Sequence, residues 1–140
     1  MSLVLLKFLH YLAIVFSGGV LVGGGIINKV FTKSNQIPDL NVSKVLKILG
    51  YVGLLSLLIL WITGMLLANI IYGGFSINYA FTLKIIAAAL LLIISFTVNI
   101  HVYNASKKQK PPNKNIIKIS TMSGRALIII VLIGAAIAFN

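Results

Sequence analysis

Four apolar runs, each long enough to cross a bilayer, dominate this chain: about residues 3–27, 45–72, 79–103 and 119–139. At 1.5 Å per residue, roughly 20 helical residues span the hydrocarbon core, and each run meets that length. Lipid offers backbone N–H and C=O groups no partners, so a spanning segment is either a helix or a strand in a closed barrel. Four runs of this length cannot close a barrel. The expected fold is therefore all-α: a four-transmembrane-helix up-down bundle forming one module over residues 1–140. Composition agrees, because 59% of the residues are hydrophobic and 9% are charged, the inverse of a soluble domain. The links are too short to hold an extramembrane domain. A cleavable signal peptide is the competing reading of the first run, and Lys7 and His10 argue against it by interrupting the would-be apolar region.

Charge sets the expected orientation. The first link and its flanks carry Lys29, Lys33, Lys44 and Lys47, and the third carries Lys107, Lys108, Lys110, Lys114, Lys118 and Arg125. The second link, Gly73 to Asn78, carries no charge. Ten of the twelve cations thus fall on one side of the bundle, which the positive-inside rule makes cytoplasmic. Both termini are expected outside, in a multi-pass protein of the cytoplasmic (inner or plasma) membrane. The net charge of +11 does not signal nucleic acid, because the lysines flank membrane spans without interleaved aromatics; anionic lipid headgroups are the expected partners. Lys107 to Lys118, with Pro111 and Pro112 inside it, reads as a mobile hairpin lying against such lipid.

The absences exclude whole classes of chemistry. With no cysteine, disulfides, thiolate metal sites, iron–sulfur ligation and a cysteine nucleophile are all ruled out. Asp39 is the only acidic side chain and lies in a link, so paired-carboxylate hydrolysis and Mg²⁺-dependent phosphoryl transfer are beyond this chain alone. A P-loop, an HExxH motif and a nucleophile elbow are all missing. If this protein is an enzyme, a cofactor does the chemistry.

Ionisable groups deep in apolar runs are costly and mark functional sites by default. His10, Met65 and Lys84 each lie about five to seven residues below the outer end of their run, roughly 7–10 Å deep. Lys7 stands one turn above His10 on the same face. A cluster of His10, Met65, Lys84 and Lys7 in the outer half of the membrane is the candidate site. Neutral imidazole is a common ligand for haem and transition metals, and a thioether suits Cu(I) or completes a His/Met axial pair. The lysines would meet haem propionates or quinone oxygens. Plainer readings stand beside these: His10 hydrogen-bonded to a neighbouring helix, Met65 as packing, and Lys7 and Lys84 snorkelling to the headgroups. His101 and Arg125, near the other ends of their runs, read as inner-face anchors, the alternative being a second, inner-leaflet haem site with Arg125 as propionate partner. Gly19 and Gly23 form a flat GxxxG strip suited to helix packing, or to a flat prosthetic group, a partner subunit or a second copy lying against the first helix.

The string Leu6-Lys7-Phe8-Leu9-His10, followed by Gly18-Gly19, resembles the first helix of the CopD-type copper resistance proteins and the related HemJ-type protoporphyrinogen oxidases. Trp61-Ile62-Thr63-Gly64-Met65, Tyr72-Gly73, Leu83-Lys84 and Asn99 continue that progression and resemble the CopD domain more closely than HemJ. The resemblance implies copper- or haem-related binding or transport in the outer half of the membrane, with copper or haem b as cofactor. On the HemJ side it implies a haem-dependent oxidoreductase, in which a first-helix His and a third-helix Lys, here His10 and Lys84, are the important positions. The third expectation is an accessory subunit of a larger membrane complex with no cofactor of its own.

Overall fold

The computed structural model describes residues 2–34, 39–74, 79–108 and 112–138. Four helices account for most of them: α1 (Leu3–Lys33), α2 (Leu40–Tyr72), α3 (Tyr79–Lys107) and α4 (Lys114–Ala138). No strand occurs among the described residues, and each helix is long and apolar enough to cross a membrane. The chain is an all-α, multi-pass membrane protein. Its surface has the matching character, with Val4, Val15, Val30 and Ile119 all at least 60% exposed, where water would demand polar side chains.

The helices outrun the apolar stretches that announce them. α1 continues past residue 27 to Lys33, α2 begins at Leu40 rather than 45, α3 runs past 103 to Lys107, and α4 starts at Lys114 rather than 119. Hydropathy marks the hydrocarbon layer, whereas a nucleated helix propagates through lysines, which are good helix formers. Lys33 and Lys107 occupy last turns, where a cation complements the helix dipole. The Lys107–Lys118 hairpin shrinks accordingly, because Lys114 to Lys118 already belong to α4. Residues 109–111 of that hairpin, residues 75–78 of the second link and Phe139 at the end of the fourth run lie outside the described residues.

Caps stop and start the helices where the sequence changes character. Asp39 Oδ1 accepts the Leu40 N–H at 2.6 Å to open α2, and Ser2 Oγ accepts the Leu5 N–H at 3.3 Å to open α1. α2 closes on Gly73, whose φ of 72° is left-handed and whose N–H reaches the Asn69 carbonyl at 3.1 Å; only glycine takes that conformation without cost.

Packing makes two antiparallel hairpins, α1/α2 and α3/α4, joined by a narrower α2/α3 seam and the narrowest seam, α1/α4. The pairing is local and reciprocal: His10 lies opposite Thr63, and Val20 lies against Gly53, where a Cβ would come within 3.0 Å of it. Gly124 sits between Leu21 of α1 and Leu91 of α3. Gly134 brings α4 onto the backbone of α3, where an added Cβ would stand 3.3 Å from the Ala80 carbonyl and from Lys84 Cβ. Without water to expel, helices in lipid associate through such close van der Waals fit. The hydroxyls of Ser17, Ser56, Thr97, Ser120 and Thr121 donate to carbonyls three or four residues back, satisfying themselves within their own helices.

Gly19 and Gly23 do not take part in this packing. An added Cβ at either would meet nothing within 4 Å among the described residues. The GxxxG spacing makes a strip flat without saying which way it faces, and here it faces away from the other three helices. The glycines that admit a neighbour are Gly25, Gly50, Gly53, Gly64, Gly124 and Gly134.

Candidate functional site

The inward line of α1 at its N-terminal end runs Leu6, His10, Ala13 and Ser17, at spacings of four, three and four. Leu6, Ala13 and Ser17 are buried and His10 is half-buried. This periodicity carries the imidazole into the bundle rather than out to lipid. Opposite it stands Thr63 of α2, itself 4% exposed, with His10 Nδ1 and Thr63 Oγ1 2.9 Å apart. Gly64 completes the berth: a Cβ there would come within 3.3 Å of His10 Cε1, so a side chain at 64 would press on the ring.

The hydrogen-bond chain assigns the tautomer. Thr63 has one hydroxyl hydrogen, and it is directed to the Ile59 carbonyl at 2.7 Å, with the Leu60 carbonyl at 3.2 Å. Its oxygen is therefore the acceptor from His10, whose Nδ1 carries the proton. That leaves Nε2 with a lone pair. A ring nitrogen oriented by a donor bond from its partner nitrogen is the arrangement found in imidazole ligands of metals.

Lys84 of α3 is half-buried and close enough to His10 for their charges to interact. Its ammonium lies 5.7 Å from the centre of the Phe81 ring, and Phe81 is packed in turn on Ala68 of α2. Three helices thus contribute to one polar cluster in an apolar bundle: His10 from α1, Thr63 from α2 and Lys84 from α3.

The other two expected members lie elsewhere. Lys7 is exposed; the inward line passes through its neighbour Leu6, which is 2% exposed, so the i,i+3 step from His10 carries Lys7 off the buried face. Met65 is half-buried, but it lies two residues past Thr63 and so about 200° around α2 from it. The turn of α2 that touches the ring offers it Thr63 and Gly64 rather than the thioether. Thr63 was legible in the sequence only as part of a Thr-Gly pair. The signal that identifies it is a hydroxyl next to a glycine on the inward face of one helix, at the depth of a histidine on the next.

At the opposite end, His101 Nε2 accepts the Asn113 N–H at 3.1 Å, tying the end of α3 to the start of α4. Lys47 of α2 stands 5.4 Å over the ring of Tyr103. Asn99 donates to the Ser95 carbonyl at 2.9 Å and lies against Gly50, where a Cβ would approach its Oδ1 to 2.8 Å. The Arg125 guanidinium rests on Gly25 of α1. A cavity of about 240 Å³, lined by Leu9, Leu12, Ala13, Phe16, Val52, Leu55, Ser56 and Ile59, opens between α1 and α2 and does not include His10.

The donor set tests the two implied cofactors. Among the described residues no three His, Cys, Asp or Glu side chains gather to hold a metal ion, and the Lys84 ammonium, within electrostatic reach of the imidazole, opposes a bare cation. A copper site built from three such side chains is therefore not formed among the described residues. Haem iron would need one imidazole from this chain, which His10 could supply, and the Lys84 ammonium would suit a haem carboxylate; that donor set fits.

No protein-family model, curated protein or solved structure matches this chain. The likeness to the CopD and HemJ group thus rests on the residues quoted for it.

Proposed function

We propose that this protein is a haem-binding membrane protein in which His10 would ligate the iron and Lys84 would meet a carboxylate of the same group. The observation that carries the reading is the 2.9 Å contact of His10 Nδ1 with the Thr63 hydroxyl; with that hydroxyl donating to the Ile59 carbonyl, Nδ1 is assigned as the donor and Nε2 keeps a lone pair inside an apolar bundle. Thr63 orients the ring, Gly64 gives it room, and Lys84 supplies positive charge without a competing ligand. When bound, haem would supply one-electron redox chemistry. The chain holds and orients the group and contributes no carboxylate pair for acid–base work. By charge distribution the site belongs to the outer half of a cytoplasmic membrane.

The accessory-subunit reading has its own support in the open face of α1, where Gly19 and Gly23 meet no neighbour among the described residues. The readings separate on protein purified gently from its native membrane, by visible spectrum and metal analysis. A Soret band that shifts on reduction supports haem. Copper without a Soret band overturns it in favour of copper handling, and neither signal leaves the accessory role.

A further inference from the structure

Arg125 is eleven residues into α4, about 16 Å from its first residue. A side chain that only snorkelled would run back along the helix toward the lysines at that end. Instead the guanidinium crosses the seam to α1 and rests on Gly25, where a Cβ would collide with Nη2 and stand 2.9 Å from Cζ. Gly25 is buried and lies six residues before the end of its span at Phe31, about 9 Å inside it. The absence of a side chain at 25 is what admits the planar fork. Arg125 as a whole is nonetheless exposed, so the side of the group not covered by α1 opens toward the surroundings of the bundle.

A guanidinium at that depth needs partners for its N–H groups, which an anion or backbone carbonyls can supply, and among the described residues no acidic side chain stands beside it. The chain's only acidic side chain is Asp39, which caps the start of α2 through the Leu40 N–H. The cations repeat along the same seam: Lys29 stands one turn from Gly25 on α1, and Lys118 lies two turns from Arg125 on α4, both exposed and both on the faces that carry the Gly25–Arg125 contact. From Lys118 and Lys29 inward to Arg125, the narrowest seam of the bundle is a line of positive charge leading from the helix ends into the apolar layer.

We propose that the α1/α4 seam binds the phosphate of an anionic phospholipid, held by the Arg125 fork and flanked by Lys29 and Lys118. The guanidinium offers two parallel N–H donors to phosphate oxygens, a geometry that lysine does not reproduce. The lipid's acyl chains remain in the bilayer beside the seam, so the headgroup is drawn inward to the arginine. The site is distinct from the loop lysines, which meet headgroups at the surface, and does not depend on the His10 reading.

The test uses the full chain in nanodiscs of phosphatidylcholine, with and without phosphatidylglycerol, and reads thermal unfolding. Phosphatidylglycerol is expected to raise the wild-type Tm. Arg125→Gln and Gly25→Ala lose most of that rise, Arg125→Lys keeps less than half of it, and Lys108→Gln, a change beyond the seam, keeps all of it. Inorganic phosphate added to phosphatidylcholine discs produces no rise. Native mass spectrometry of the Arg125→Lys protein, which preserves charge and fold, shows fewer retained phosphatidylglycerol molecules than wild type. An undiminished rise in Arg125→Gln or Arg125→Lys overturns the proposal, as does an equal loss in Lys108→Gln, which would mean diffuse surface charge. A rise with inorganic phosphate alone would assign the site to free anions rather than lipid.

Discussion

The two ends of this bundle handle polar groups in opposite ways. At the end holding the start of α1, a few groups turn inward and engage one another across helices, with His10 on Thr63 and Lys84 within electrostatic reach. At the other end nine cations among the described residues lie at or near the ends of the helices, and the one that reaches deep, Arg125, does so at the rim of the bundle on Gly25. Sparse and inward is the pattern of a site, because each buried polar group must be oriented by a partner. Dense and outward is the pattern of orientation in a membrane, because charges there meet headgroups and set topology. The same residue type thus carries different meaning by depth and direction: Lys84 belongs to a cluster, whereas Lys107 completes a last turn.

That contrast can be broken most forcefully at Gly134, which seats α4 on the backbone that presents Lys84. Gly134→Leu forces a side chain into the α3/α4 seam and is expected to cost about 1–3 kcal/mol, read as a lower Tm. The same replacement at Gly19 or Gly23 leaves the Tm of the single chain unchanged or higher. A fall there would reveal a partner on that face.

Thr63→Val tests the site end directly. It removes the Thr63 hydroxyl from His10 Nδ1 and leaves the Leu60 backbone carbonyl as the ring's remaining partner on α2, at an expected cost of about 1 kcal/mol; Thr63→Ser restores most of it. Asp39→Ala at the other end removes only a cap, costing about 1 kcal/mol, and leaves any chromophore bound at His10 unaltered. Orientation is checked without an energetic effect. Because the chain has no cysteine, single replacements Tyr79→Cys and Ser106→Cys at exposed positions give clean labelling. The account expects an impermeant maleimide to reach the first only from outside and the second only from the cytoplasm.

Much of the fold was legible because lipid imposes one demand, internal backbone satisfaction, and apolar runs report it directly. The ends of the helices were less so: Lys33, Leu40, Lys107 and Lys114 lie beyond the hydrocarbon signal while remaining helical. In the site, depth singled out His10 and Lys84, since burial of ionisable groups is rare enough to notice. Direction around a helix was the missing coordinate. It separates Leu6 from Lys7, carries Met65 away from the ring, turns Gly19 and Gly23 outward, and aims Gly25 at Arg125, and each of these depends on neighbours that one helix's sequence does not contain.

The most direct test of the central claim is a titration of apoprotein in nanodiscs with haem, followed at the Soret band, for wild type and His10→Ala. The account predicts saturable one-to-one binding with a coordinated-imidazole spectrum in wild type, lost in His10→Ala and weakened in Lys84→Gln. Identical titrations for wild type and His10→Ala would contradict it and leave the inward histidine as a structural hydrogen bond to Thr63.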